Sequence, residues 1–296
     1  MECKGIITAM VTPFKDDQTI DYEATKNLVN YLIDKGVNGL FILGTNGEFY
    51  VLEEQERQAF ATFVIKETAG RVPVYVGVGA NATREVIKSA KAMEKIGAEA
   101  LSIITPYFMP LTQEEVYNHY KQIAASTSLP IIIYNMPSKT GINVEPETIT
   151  RLAAIKNIVA VKDSSGNFDN MKAYIDQTAD MDFAVLSGSD SLVLKALKAG
   201  GTGGVAATTN FLPEVLVSLY QQWQAGDIAA AEKTQLELEE LRRVLKFGTI
   251  PTILKEAMNQ GGIHVGAARY PALMPDDATK AEVANMVQHY GKGRKE

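Results

Sequence analysis

The chain has 296 residues, 46% of them hydrophobic and 22% charged, with a formal net charge of −6. That balance excludes a disordered, collagen-like or coiled-coil chain, and its negative sign argues against nucleic acid or an anionic membrane surface as a partner. One cysteine, Cys3, excludes an intrachain disulfide and fits a reducing cytosol.

Short apolar, β-branched runs alternate with longer amphipathic stretches. The runs predict strands over 5–10, 39–43, 74–78, 100–104, 131–134, 158–162, 184–187 and 204–207. Helices are predicted between them. One covers 22–35, with Leu28, Leu32 and Ile33 on one face and a Gly36 stop; one covers 83–96 and ends at Gly97; one covers 113–125 behind a Thr112 cap. Several strands are apolar throughout, as in Leu129-Pro130-Ile131-Ile132-Ile133, which suits a sheet buried on both faces. Eight βα units in about 220 residues imply an α/β fold, a closed (β/α)8 TIM barrel. After residue 224 the strands stop. Patterns over 227–244, 251–259 and 276–289 predict three helices, and the last five residues, 292–296, a polar tail. The expected organisation is a barrel carrying the active site over 1–224 and a C-terminal helical region over 225–296. The longest apolar runs are as short as Gly39-Leu40-Phe41-Ile42-Leu43, too short to span a bilayer, and the opening segment is too short for a secretory core. No membrane association and a cytoplasmic location are expected.

Reactive groups of such barrels gather at the carboxyl ends of the strands. The second strand runs into Thr45-Asn46, the fifth ends at Tyr134, and the sixth ends at Lys162. An ammonium closing the apolar run Ile158-Val159-Ala160-Val161 is disfavoured by burial, so its pKa falls. A neutral amine there can form a Schiff base with a ketone; a buried lysine paired with a carboxylate is the alternative. The Tyr134 hydroxyl can relay protons, or simply be a core tyrosine with one hydrogen bond. Backbone N–H groups and the hydroxyl of the Thr45-Asn46 turn can hold a small carboxylate, or the turn can be plain. Gly77-Val78-Gly79-Ala80-Asn81-Ala82 matches a dinucleotide fingerprint, but it follows the third strand and no acidic residue ends the next one, so a packed rim turn is expected. No G-x-x-x-x-G-K-[ST] loop occurs. His119, His264 and His289 are scattered without ligand spacing, so no metal site is expected.

Three segments carry a resemblance: Gly44-Thr45-Asn46-Gly47-Glu48, Tyr134-Asn135-Met136-Pro137-Ser138-Lys139-Thr140-Gly141 and Val161-Lys162-Asp163-Ser164-Ser165-Gly166. In this order and spacing the chain resembles, over nearly its whole length, the dihydrodipicolinate synthase / N-acetylneuraminate lyase family of pyruvate-dependent class I aldolases. The resemblance implies a lyase with Lys162 as the imine lysine for pyruvate, Tyr134 moving protons near the imine, and Thr45 in the carboxylate loop and the relay. It also implies a pocket floor around Val205, no metal or organic cofactor, and a homotetramer built as a dimer of dimers.

Departures bear on the second substrate, an aldehyde. Lysine-pathway synthases of the family usually carry a second Thr where this chain has Asn46, and two tyrosines where it has Tyr107-Phe108, the second reaching the neighbouring subunit's site. They carry an arginine where it has Lys139, which lacks the two-pronged geometry. Asn46, Lys139, Tyr107, Phe108 and Val205 are thus the candidate substrate-binding residues, with Asp163, Asp190 and Asn210 near the acceptor. The reading these changes favour is an aldolase on a 2-oxo-3-deoxy sugar acid, with weak synthase activity; the alternative is 4-hydroxy-tetrahydrodipicolinate synthase. Further alternatives are a phosphate-binding barrel isomerase, suggested by Gly188-Ser189 and Gly201-Thr202-Gly203-Gly204, and a non-catalytic 2-oxo-acid-binding barrel.

Overall fold

In the computed structural model, which describes residues 3–291, every strand pairs in parallel with its sequence neighbours and the last closes on the first. The barrel half runs β1 Gly5–Ala9, α1 Tyr22–Asp34, β2 Gly39–Ile42, α2 Glu54–Thr68, β3 Val74–Val78, α3 Thr83–Ile96, β4 Ala100–Ile104, α4 Gln113–Ala124 and β5 Ile131–Asn135. It continues with α5 Pro137–Thr140, α6 Pro146–Ala153, β6 Ile158–Asp163, α7 Phe168–Gln177, β7 Ala184–Ser187, α8 Val193–Lys198, β8 Gly203–Ala206 and α9 Pro213–Gln224. This is the expected TIM barrel, with all eight strands within a residue of their predicted limits. The predicted tail, 292–296, lies outside the described residues.

Local chemistry explains the elements. The strands are buried along nearly their whole length, because barrel side chains and the helix layer cover both faces. Asp21 caps α1 by accepting from the Ala24 N–H at 3.0 Å, and Thr112 and Glu115 form a reciprocal capping box at α4. The dinucleotide-like glycines serve packing. A Cβ on Gly77 would strike the Leu43 carbonyl, and one on Gly79 would come within 2.6 Å of Ile104. The Gly201–Gly204 run leads into the first two residues of β8 and so lies at the amino end of the barrel, where a Cβ on Gly203 would strike the backbone of Gly5.

Beyond residue 224 there are four helices among the described residues, where three were predicted: α10 Ile228–Leu236, α11 Glu239–Val244, α12 Thr252–Gln260 and α13 Asp277–His289. The single helix predicted over 227–244 is broken at Glu237-Leu238. The Tyr290 hydroxyl donates to the Glu237 carbonyl at 2.6 Å and accepts from the Leu241 N–H at 3.1 Å. It stands where the ladder bond between those two groups would form, a side-chain insertion that interrupts a helix. None of the described helices is long and apolar enough to cross a membrane.

The C-terminal helices lie against the carboxyl-end face of the barrel. Gln235 on α10 donates to the Asp190 carbonyl and accepts from the Leu194 N–H. Lys255 on α12 is fully buried, with its ammonium 2.6 Å from the buried Glu48 carboxylate. It also donates to the carbonyls of Thr12 (2.8 Å) and Ala267 (3.0 Å). Glu48 belongs to the loop carrying Thr45 and Asn46, so the C-terminal region braces that loop.

Candidate active site

Lys162 and Tyr134 are register partners on β6 and β5. Side chains alternate along a strand, so both point into the barrel while their successors, Asp163 and Asn135, point outward. The Lys162 ammonium lies 3.9 Å from the centre of the Tyr134 ring and 4.5 Å from that of Phe41, and the residue is only 4% exposed. Burial holds its pKa below the ordinary lysine range, opposed by the nearby Tyr134 hydroxyl and Asp190. A lysine without a carboxylate in contact is poised to be a neutral nucleophile. The buried lysine paired with a carboxylate does exist in this protein, but it is Lys255.

The Thr45 hydroxyl is 3.2 Å from that of Tyr134, and both face the Met136 sulfur, at 3.5 and 2.8 Å. Thr45, Tyr134 and Lys162 therefore form one contiguous chain of proton-carrying groups. Gly188 ends β7 beside it. A Cβ there would strike Ser164 Oγ and come 3.1 Å from Lys162 Cε, so only glycine leaves room for the lysine stem. Val205 faces the barrel interior, since a Cβ on its neighbour Gly204 would meet Val193 in the helix layer.

Two cavities flank this centre and share Thr249 and Ile250 on their outer walls. The first, of about 220 Å³, is lined by Thr45, Phe49, Tyr107, Lys139 and Thr140 among others. The second, of about 240 Å³, is lined by Asn46, Gly188, Ser189, Asp190, Arg242 and Lys246, with Leu245, Ile253 and Leu254 as an apolar wall. Lys139 and Tyr107 thus line the first cavity beside Thr45, and Asn46 lines the second beside Gly188.

Three candidates lie elsewhere. Phe108 is 89% exposed and sits at φ +81°, a left-handed conformation that strains a bulky side chain, so it turns away from its own chain's cavity. Asp163, expected near the acceptor, is fully buried behind β6, accepting from Asn135 (2.8 Å) and Ser165 (2.7 Å). Asn210 accepts from the Val11 N–H and donates to the Ala9 carbonyl, tying the barrel's ends together. Asp190 lines the second cavity, but its carboxylate already accepts from the Ala207 and Thr208 N–H groups. The sequence reading missed Arg242, on α11, and Lys246, just after it, which lie some 80 residues beyond Lys162 in a segment whose pattern marks only its buried side.

The family model for the dihydrodipicolinate synthetase family matches residues 2–290. The chain is 41% identical over 268 residues to the 4-hydroxy-tetrahydrodipicolinate synthase of Archaeoglobus fulgidus, covering 90% of this chain and 91% of that one. It is 39% identical over 271 residues to 4-hydroxy-tetrahydrodipicolinate synthase 1 of Halalkalibacterium halodurans, covering 92% of each. The crystal structure of the dihydrodipicolinate synthase of Acinetobacter baumannii complexed with pyruvate superposes with a TM-score of 0.95 at 32% identity, over 98% of this chain and all of that one. Barrel, helical extension and whole-length similarity agree, and the chain belongs to the dihydrodipicolinate synthetase family and with it to the pyruvate-dependent class I aldolases.

Proposed function

We propose that this chain joins pyruvate, held as an imine on Lys162, to aspartate semialdehyde, acting as a 4-hydroxy-tetrahydrodipicolinate synthase. The observation that carries the chemistry is the buried Lys162 amine against Tyr134, itself hydrogen-bonded to Thr45. The neutral amine adds to C2 of pyruvate, and water leaves as the imine forms. The imine draws electrons from C3, which loses a proton and becomes a nucleophilic enamine. C3 then attacks the aldehyde carbon, and the resulting alkoxide takes a proton. The amine of the condensed aspartate semialdehyde can displace Lys162 at C2, closing the ring and freeing the enzyme. Tyr134 and Thr45 carry the protons of these steps, and the Thr45-Asn46 loop receives the pyruvate carboxylate.

The choice of aldehyde rests on the relatives named as synthases at 39–41% identity, which support the synthase over the sugar-acid reading. The second reading, an aldolase on a 2-oxo-3-deoxy sugar acid, keeps two specific supports: Lys139 lines the first cavity where synthases usually carry arginine, and Phe108 has no hydroxyl to give. The exposed Phe108-Met109 pair, 89% and 62% exposed, is apolar surface of the kind a neighbouring subunit covers, consistent with a homotetramer.

Pyruvate with borohydride should add one reduced pyruvyl group per chain, mapped by peptide mass to Lys162. Lys162→Ala should abolish both the adduct and turnover, whereas Tyr134→Phe should still form the adduct but turn over ~10²–10⁴-fold more slowly. Because the Lys162 pKa is depressed, trapping should persist below the ordinary lysine range and fall only as pH drops through the depressed value. An adduct on another lysine would overturn the mechanism. Separately, cyclic product from pyruvate and aspartate semialdehyde at an efficiency within about tenfold of an established synthase supports the first reading; product only from sugar-derived aldehydes selects the second.

A further inference from the structure

The second cavity is lined by Gly188, where a Cβ would come 3.1 Å from Lys162 Cε, and by Arg242 on α11. Its far wall presents Arg242, which is half-buried. Among the described residues this guanidinium makes no ion pair and no side-chain hydrogen bond. Its neighbour Arg243 is exposed and holds Glu240 at 2.8 Å and Glu282 at 3.3 Å. The one carboxylate on the cavity wall, Asp190, is near enough to feel the charge of Arg242, yet its oxygens are engaged by the Ala207 and Thr208 N–H groups. Lys246 adds a second positive charge at the exposed rim. Leu245, Ile253 and Leu254 line the same cavity, and apolar walls of this kind strengthen an ion pair formed beside them. A half-buried cation on an apolar-walled cavity, with no ion pair among the described residues, is a recognition element for an anion. The planar fork of arginine matches a carboxylate in two parallel hydrogen bonds.

We propose that Arg242, helped by Lys246, is the specificity-determining anchor for a carboxylate on the aldehyde substrate, at the end remote from the reacting carbonyl. The inference rests on the reading that the acceptor condenses with pyruvate on Lys162, and it names the acceptor class as an aldehyde acid. It also gives that acid an arginine in a chain whose Lys139 replaces the usual one. In this arrangement pyruvate occupies Lys162 and the Thr45-Asn46 turn, and the acceptor extends past Gly188 toward α11.

The test compares two four-carbon aldehydes, succinic semialdehyde and butanal, as acceptors for pyruvate, followed by mass spectrometry of the condensation product. Arg242→Gln should raise the KM for the carboxylated aldehyde roughly ten- to hundredfold, the loss expected for one charge-assisted contact. It should leave butanal kinetics and borohydride trapping of pyruvate unchanged, the trapping also reporting that the variant is folded. Arg242→Lys should recover part of the loss, since it restores the charge and not the fork. An unchanged KM for succinic semialdehyde in Arg242→Gln, with turnover intact, overturns the subsite and leaves the proposed chemistry standing. If wild-type protein turns over neither aldehyde, the proposed function is judged by its own assay with aspartate semialdehyde, and the subsite by calorimetric titration of succinate into pyruvate-reduced protein. Binding weakened at least tenfold by Arg242→Gln then supports it, and equal binding overturns it.

Discussion

Lys162, Tyr134 and Thr45 were legible because chemistry at a strand's carboxyl end follows from chain order once the strands are known. Orientation was not. Asp163 is adjacent to Lys162 in sequence, but a strand sends consecutive side chains to opposite faces, and Asp163 serves Asn135 and Ser165 instead. His119 shows the same limit in a different way. It was read only as a residue too isolated to bind a metal, whereas the fold buries it to 4% exposure against Thr83, whose hydroxyl lies 2.9 Å from Nδ1. Burial pulls the imidazole from its ordinary 6.5 down to about 4. A depressed histidine costs nothing at neutral pH, where folded and unfolded chains both hold it neutral. As pH falls below 6.5 the unfolded chain takes up a proton that the folded one refuses, so stability drops until about pH 4. The loss should reach about 3 kcal/mol. Urea unfolding at pH 7, 5.5 and 4 should show this decline, and His119→Gln should flatten it; an equal slope in the variant would assign the acid sensitivity to other groups.

At the scale of elements, the loop after β2 is held in place by partners far away in sequence. Glu48 sits at φ +56°, an uncommon conformation for a side-chain-bearing residue. Its carboxylate meets Lys255 at 2.6 Å and the Arg269 N–H at 2.9 Å. Arg269 in turn grips Glu56 at the start of α2 and the Val51 carbonyl. Removing one member of a fully buried ion pair strands the other charge, which typically costs ~3–5 kcal/mol. Lys255→Met should therefore lower stability by about that amount in chemical denaturation. It should also weaken pyruvate binding, because the Thr45-Asn46 turn loses its brace. The double variant Lys255→Met with Glu48→Gln should recover part of the stability, since no unpaired charge remains. If both variants match wild type, the pair does not brace the loop.

For the whole molecule, we propose that the division at residue 224 marks a change of architecture and not of folding unit. Leu241, Val244, Ile253, Leu254, Met258, Val283, Met286 and Val287 are each at most 3% exposed. A buried side chain of this kind contributes about 1.5–3 kcal/mol, so together they rival the ~5–15 kcal/mol by which a native protein is stable. A chain ending at residue 224 should show no cooperative thermal transition by circular dichroism and no pyruvate adduct on Lys162. A cooperative melt within a few degrees of the full chain would make the barrel autonomous. The sequence by itself determined the strand count, the parallel closure and the carboxyl-end address of Lys162, because periodicity and burial on both faces are local properties of each run. The tertiary structure alone decided three things: that the Tyr290 hydroxyl interrupts the helix predicted over 227–244, that Lys255 and not Lys162 is the buried lysine paired with a carboxylate, and that Arg242 lines the cavity beside Gly188. Each joins residues at least 49 positions apart, and no pattern within a single helix or strand records what a distant segment will place against it.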